Sequence, residues 1–139
     1  MKQVLTIIFG VLFINILYAQ EGDSMKISIN VDGKTIIFQL NNSNAAKELY
    51  IQLPLKINVE NYSDNEKIFY PPQKLSTNNT PKANAKNGTL AYYAPWGNVV
   101  IFYKDFGTAN GLYEIGNILS GKEHIENISG TIEVTRIEY

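Results

Sequence analysis

Residues 89–106 read TLAYYAPWGNVVIFYKDF, and their reading decides the fold. Two apolar runs flank Pro95-Trp96-Gly97-Asn98, a turn built from residues that set or permit tight backbone angles. In the first run Leu90, Tyr92 and Ala94 fall on one face and Ala91 and Tyr93 on the other, the period of a strand. The second run, 99–103, is VVIFY and does not alternate, so it is expected to be a strand covered on both faces. The stretch holds the only Trp of the chain, three of its nine Tyr and two of its six Phe. An indole in a Pro-Trp-Gly turn cannot bury itself within that turn. It must pack on another loop or meet a ligand, and packing is the ordinary fate of an aromatic side chain.

Working outward, the same grammar of short strands and polar turns extends in both directions. Residues 26–31 and 34–40 alternate around Asp32-Gly33, a dipeptide whose preferred turn matches the twist of paired strands. Residues 41–44 offer helix caps, residues 45–52 carry apolar side chains near helical spacing, and Pro54 stops the segment. A strand follows at 54–59, then a polar loop at 61–67 with two carboxylates, a short strand at 68–70, and Pro71-Pro72. Residues 73–88 turn to Asn, Thr, Lys, Pro and Ala, and a loop of that length is more often functional or mobile than incidental. Beyond the central stretch, 112–117 reads as a strand interrupted by Gly116. Ile118, Leu119, Ile125 and Ile128 are expected on one face of a second short helix that Gly130 ends. Residues 131–138 close in alternation, with Ile132 and Val134 inward and Arg136 largely outward. Ile137 is out of parity, which suggests a bulge. About eight strands and two short helices, most strands with one polar face, predict a closed or nearly closed eight-stranded antiparallel barrel, mainly β.

The first residues carry a separate message. Met1-Lys2-Gln3 is positive, residues 4–17 are almost wholly apolar, and Tyr18-Ala19-Gln20 precedes a polar run. This is the order of a secretory signal peptide over residues 1–19, with Ala19 before the cut. The apolar run of 14 residues is short against the ~20 that span a bilayer. An uncleaved anchor and a core helix are the alternatives. Cleavage predicts a periplasmic or extracellular domain with no remaining membrane association, whereas a start at Met25 would leave the domain, residues 25–139, cytoplasmic.

Composition excludes several function classes. Charged residues are 18% of 139 and the formal net charge is −1, which is no nucleic-acid profile. There is no Cys, hence no thiol nucleophile and no zinc-thiolate site. His124 is the only His, so a multi-histidine metal centre is ruled out and any Ser-His-Asp triad would need that residue. Neither a metal nor a cofactor is expected. Glu60, Asp64, Glu66 and Lys67 form the densest charge cluster, but their spacing matches no calcium loop and reads as a solvated turn.

The runs MKISINVDGKT (25–35), LYIQLPLKINVENYSDNEKIFY (49–70), LAYYAPWGNVVIFYKDF (90–106), LYEIGNILSG (112–121) and the closing GTIEVTRIEY resemble the bacterial cyclophilin-like domain family. The resemblance covers essentially 25–139 and rests on the order and spacing of the runs. It implies an eight-stranded barrel with two helices. True cyclophilins carry Phe-His-Arg, Gln-Gly-Gly and Gln-Phe-Phe stretches at their active site, and none occurs here. The only Arg, Arg136, lies in the last strand. The resemblance therefore transfers a fold and no catalytic residue.

The expectation is an exported, non-catalytic binding module for a small molecule or an extended peptide, with peptidyl-prolyl isomerisation or another activity as the alternative. A groove is expected between the Trp96 turn, the acidic loop and the 73–88 loop. Trp96, Tyr92, Tyr93, Phe102 and Tyr103 are the aromatic candidates to line it, and Tyr62 and Tyr70 flank the acidic loop. The ligand-binding set is taken as Trp96, Tyr62, Glu66, Tyr70, Tyr92 and Phe102.

Overall fold

A computed structural model describes residues 25–138. The signal peptide expected over residues 1–19 lies outside them. The first hairpin pairs β1 (Lys26–Val31) with β2 (Lys34–Leu40) in unbroken register down to Val31 opposite Lys34. Helix α1 (Asn44–Gln52) follows, its start capped by Ser43 Oγ, which accepts from the Ala46 amide at 3.2 Å. That bond satisfies one of the amide donors a helix start leaves free. Then come β3 (Leu55–Tyr62), β4 (Glu66–Phe69), β5 (Thr89–Tyr93), β6 (Asn98–Phe102), β7 (Leu112–Ser120) and β8 (Gly130–Ile137). The eight strands close into one antiparallel barrel in the order β1-β2-β7-β5-β6-β4-β3-β8.

Alternation along each strand fills the interior. Ile27 and Ile29 of β1, Ile36 and Phe38 of β2, Leu90 and Tyr92 of β5, Val99 and Ile101 of β6, and Ile132 and Val134 of β8 are all buried in one cluster. Ala46 and Leu49 of α1 join it, as do Ile125 and Ile128. The helix that bears Ile125 is a single 3₁₀ segment, Lys122–Asn127.

Four local expectations are corrected. Gly116 does not interrupt β7. A Cβ there would lie 2.6 Å from the Gln39 carbonyl oxygen, so the missing side chain is what lets β7 approach β2. Ile118 and Leu119 belong to β7 rather than to a helical face, and Leu119 is exposed. Gly130 opens β8 instead of ending a helix. No bulge occurs at Ile137, which pairs with Lys26 in a continuous register. Arg136 therefore keeps the inward parity of Ile132 and Val134. It meets the end of α1, where its Nε and Nη2 donate to the carbonyls of Tyr50 and Ile51 at 2.8 and 3.1 Å. The Tyr50 carbonyl also accepts from the Leu53 amide at 3.3 Å, and a cation at the last carbonyls of a helix complements its dipole.

The expectation of cover on both faces holds for 99–102 and has a simple cause, whereas Tyr103 lies beyond the strand and is half-buried. All five residues of β6 are buried. Val99 and Ile101 face the barrel interior, while Val100 and Phe102 face outward into a second cluster with Ile68, Ala83, Ala85, Ala91 and Leu112. Ala83 and Ala85 come from the 73–88 segment, which starts with Leu75 in the interior cluster and lies against the outer wall at 82–85. Bridges Lys82–Tyr113 and Ala85–Gly107 fix it there.

Candidate functional site

The barrel interior is full, and the site that emerges lies on the outer wall. Register places Tyr62 of β3 opposite Glu66 of β4, and Glu66 opposite Phe102 of β6. These three side chains thus form one row across three strands, on the outward face. A second row joins Asn98 to Tyr93, and Tyr93 to Leu112 of β7. Val100 lies between the rows. Trp96 from the β5–β6 turn and Phe106 and Ala109 from the segment after β6 complete a cavity of ≈250 Å³ lined by all of these residues.

The aromatic rings hold one another. Trp96 sits edge-to-face with Tyr62 (centroids 5.1 Å apart, planes at 87°) and with Tyr93 (5.4 Å, 78°). Phe102 and Phe106 stack at 5.3 Å and 28°. Such pairs contribute about 0.5–1.5 kcal/mol each beyond simple burial, enough to fix a half-exposed indole in place. The turn beneath Trp96 is equally fixed. The amides of Trp96 and Gly97 both donate to the Tyr93 carbonyl, and the Ala94 amide donates to Gly111 at 2.9 Å. Trp96 remains 47% exposed, so its packing leaves one side open to the cavity.

Two polar groups belong to this wall. Burial pushes the Glu66 carboxyl above the usual carboxylate range. Asn98 is buried, and its Oδ1 has no hydrogen-bond partner in the protein. A buried acceptor without a donor costs about 1–3 kcal/mol.

Of the residues singled out from sequence, Trp96, Tyr62, Tyr93, Glu66 and Phe102 meet at the cavity, and Tyr103 does not line it. Tyr92 does not. It points into the barrel, is 1% exposed, and its hydroxyl accepts from the Leu75 amide at 3.1 Å. Tyr70 is exposed beyond β4 and lines no part of the cavity. Nor do residues 73–88 line it, contrary to the expected groove. Their role is indirect, since the amides of Phe106 and Gly107 donate to the Ala85 carbonyl and so hold the Phe106 segment against the wall. The acidic loop is shorter than expected, because β3 runs to Tyr62 and β4 begins at Glu66. Asp64 is exposed and pairs with Lys104 at 3.6 Å. His124 touches Glu123 on the 3₁₀ segment, remote in sequence from every lining residue. Among the described residues no cluster of His, Cys, Asp or Glu could hold a metal ion.

The sequence reading missed Asn98, Val100, Phe106, Ala109 and Leu112 as lining residues, and it misplaced Lys67. Lys67 pairs with Asn61 and with Ile101, and shares the inward parity of Ile101. Its residue is 4% exposed, its amine donates to Asn61 Oδ1, and it lies 5.8 Å from the Tyr103 ring. The signal was present, because Lys67 alternates with the buried Phe69. Burial lowers the Lys67 pKa, partly offset by Glu126, so the folded protein is penalised while that amine is charged in both states. The sign follows directly. Stability attributable to Lys67 rises with pH between its lowered folded pKa and its ordinary unfolded one. Lys67→Met is expected to stabilise the protein near neutrality by on the order of 1 kcal/mol, since the exposed Asn61 can bond to water instead. Urea titrations of both proteins from pH 7 to 10 check this: the advantage of the Met variant shrinks as pH rises. A difference that stays constant or grows means Lys67 is not desolvated. Comparing the two proteins at each pH cancels the separate upward shift at Tyr103.

The model of the Cyclophilin-like family matches residues 29–136. The chain belongs to that family. This cyclophilin-like barrel also resembles the solution structure of the hypothetical protein AF2241 from Archaeoglobus fulgidus. The TM-score is 0.64 at 17% identity, over 84% of this chain and 97% of that one. At that identity the likeness concerns the fold. No curated protein matches the chain.

Proposed function

We propose that this cyclophilin-like barrel is a non-catalytic binding module, acting after export, that takes a small molecule or part of an extended peptide in the cavity on its outer wall. The observation that carries this reading is the convergence of five aromatic side chains, Tyr62, Tyr93, Trp96, Phe102 and Phe106, on one cavity of ≈250 Å³. Concave, mostly apolar sites with a few placed polar groups are how proteins hold small ligands. Prolyl isomerisation is disfavoured by the one guanidinium in the chain. Arg136 is engaged by the carbonyls of α1, and no Arg lines the cavity to stabilise a twisted amide.

Trp96 is the only Trp, so intrinsic fluorescence reports the cavity directly. A screen of small molecules and short peptides is expected to yield compounds that shift Trp96 emission and raise the melting temperature. At a hundredfold excess over Kd a ligand adds about 2.7 kcal/mol of stability. Trp96→Ala is expected to abolish that gain while the unliganded barrel still folds. On a prolyl tetrapeptide, the protein should leave the spontaneous isomerisation time of tens to hundreds of seconds unchanged. Acceleration at stoichiometric or lower protein would overturn the non-catalytic reading.

A further inference from the structure

Resting on that reading of the cavity as a ligand site, we propose that its occupant presents a small methylated ammonium head, held against the aromatic rings and the Glu66 carboxylate. Ring faces are negative, and several rings around one cavity attract a cation, most strongly when it is desolvated. Register sets Glu66, the single carboxylate among the lining residues, between two of those rings, Tyr62 and Phe102. No Lys, Arg or His is among the ten lining residues, and among the described residues Glu66 forms no ion pair.

A neutral occupant without a hydrogen-bond donor would strip the remaining water from Glu66 and give it nothing in exchange, which is unfavourable for any carboxylate. A cation compensates that loss. The choice within cations follows from what the wall lacks. A primary ammonium carries three donors and is strongly hydrated, and the nonaromatic acceptor side chains here are Glu66 and Asn98. A quaternary head has no N–H to satisfy. Size agrees as well. The cavity, at ≈250 Å³, falls below the ~300–1,000 Å³ of sites for drug-sized ligands and suits a head group. The head could arrive on a free small molecule or on a trimethylated lysine of a peptide.

The experiment is a Trp96 fluorescence titration at constant ionic strength with choline and with its uncharged carbon isostere, 3,3-dimethyl-1-butanol. A parallel arm compares a short peptide bearing trimethyl-lysine with the unmodified peptide. Choline is expected to bind at least tenfold tighter than the isostere. In Glu66→Gln, whose fold is checked by circular dichroism and melting, the ratio should fall several-fold but stay above one, because the rings still attract the cation, while the isostere binds as before. Preference for the trimethylated peptide over choline assigns the head to a peptide, and the reverse assigns it to a free metabolite. Equal binding of choline and the isostere overturns the cation proposal but leaves the cavity as a site for neutral ligands, and a ratio unchanged in Glu66→Gln overturns the pairing of the head with Glu66. Failure of every probe, charged or neutral, to alter either Trp96 emission or the melting temperature overturns both readings.

Discussion

Tyr92→Ala is expected to destabilise the protein by about 3–5 kcal/mol, the loss typical when a buried aromatic is truncated in a core that cannot collapse onto the gap. Tyr92 is among the largest fully buried side chains and stands inside the barrel with Leu90, Val99 and Ile101. Its hydroxyl reaches the amide of Leu75, which ties the start of the long outer segment to the interior. Tyr92→Phe keeps the ring and removes only that acceptor, so it should cost about 1–3 kcal/mol, the penalty of a buried N–H left alone. Neither effect involves the outer cavity. Urea unfolding measures both changes, and ligand titration of Tyr92→Phe should return the wild-type affinity. If Tyr92→Ala were nearly neutral in stability and lost ligand binding instead, the residue would belong to the cavity and not to the core.

The second large effect is expected at Gly111. Its φ of +84° lies in the left-handed region, where a side chain costs about 1–2 kcal/mol. A Cβ there would also approach Cδ of Pro95 to 2.6 Å, and forcing extra atoms into a packed contact costs a further ~1–3 kcal/mol. The two penalties act at the point where the Gly111 carbonyl accepts from Ala94, directly under the Trp96 turn. Gly111→Ala should therefore lower stability by about 2–5 kcal/mol, a sizeable share of the ~5–15 kcal/mol typical of a domain. It should also red-shift the emission of Trp96 and weaken ligand binding, although Gly111 lines no part of the cavity. Unchanged emission in a folded Gly111→Ala protein would show that the turn tolerates the displacement.

These two residues mark the boundary of what the chain discloses as a string of letters. Strand alternation in residues 26–40 and 130–137 and the continuous apolar run in β6 name the barrel, because burial acts on each strand locally and leaves a local period. Trp96 could be flagged for a similar reason, since a Pro-Trp-Gly turn has nowhere of its own to put an indole. Tyr92 and Tyr93 are adjacent letters of equal chemistry, yet one fills the interior and the other walls the cavity. Parity says that they face opposite ways without saying which way is in. Lys67 was misjudged because its neighbours Asp64 and Glu66 suggested a solvated loop, whereas the hairpin is tight enough to draw the lysine into the strand. Phe106 and Leu112 were out of reach for another reason. They are brought to Glu66 and Tyr62 by barrel closure and by the Ala85–Gly107 bridge, contacts between segments far apart in the chain that leave no trace in any local pattern.

The place of β8 between β1 and β3 has a consequence in time rather than in energy. The last strand of the barrel to be synthesised is inserted between the first and the third, so neither seam can close until synthesis of the domain is nearly complete. Until then β1 and β3 each carry a row of unpaired amides and carbonyls, the template on which one chain adds to another. Folding of a barrel dominated by such distant pairings belongs to the slow regime of milliseconds to seconds. Loss of β8 would thus expose two seams at once, and the nascent chain is most vulnerable to self-association in the interval before Gly130–Ile137 arrives.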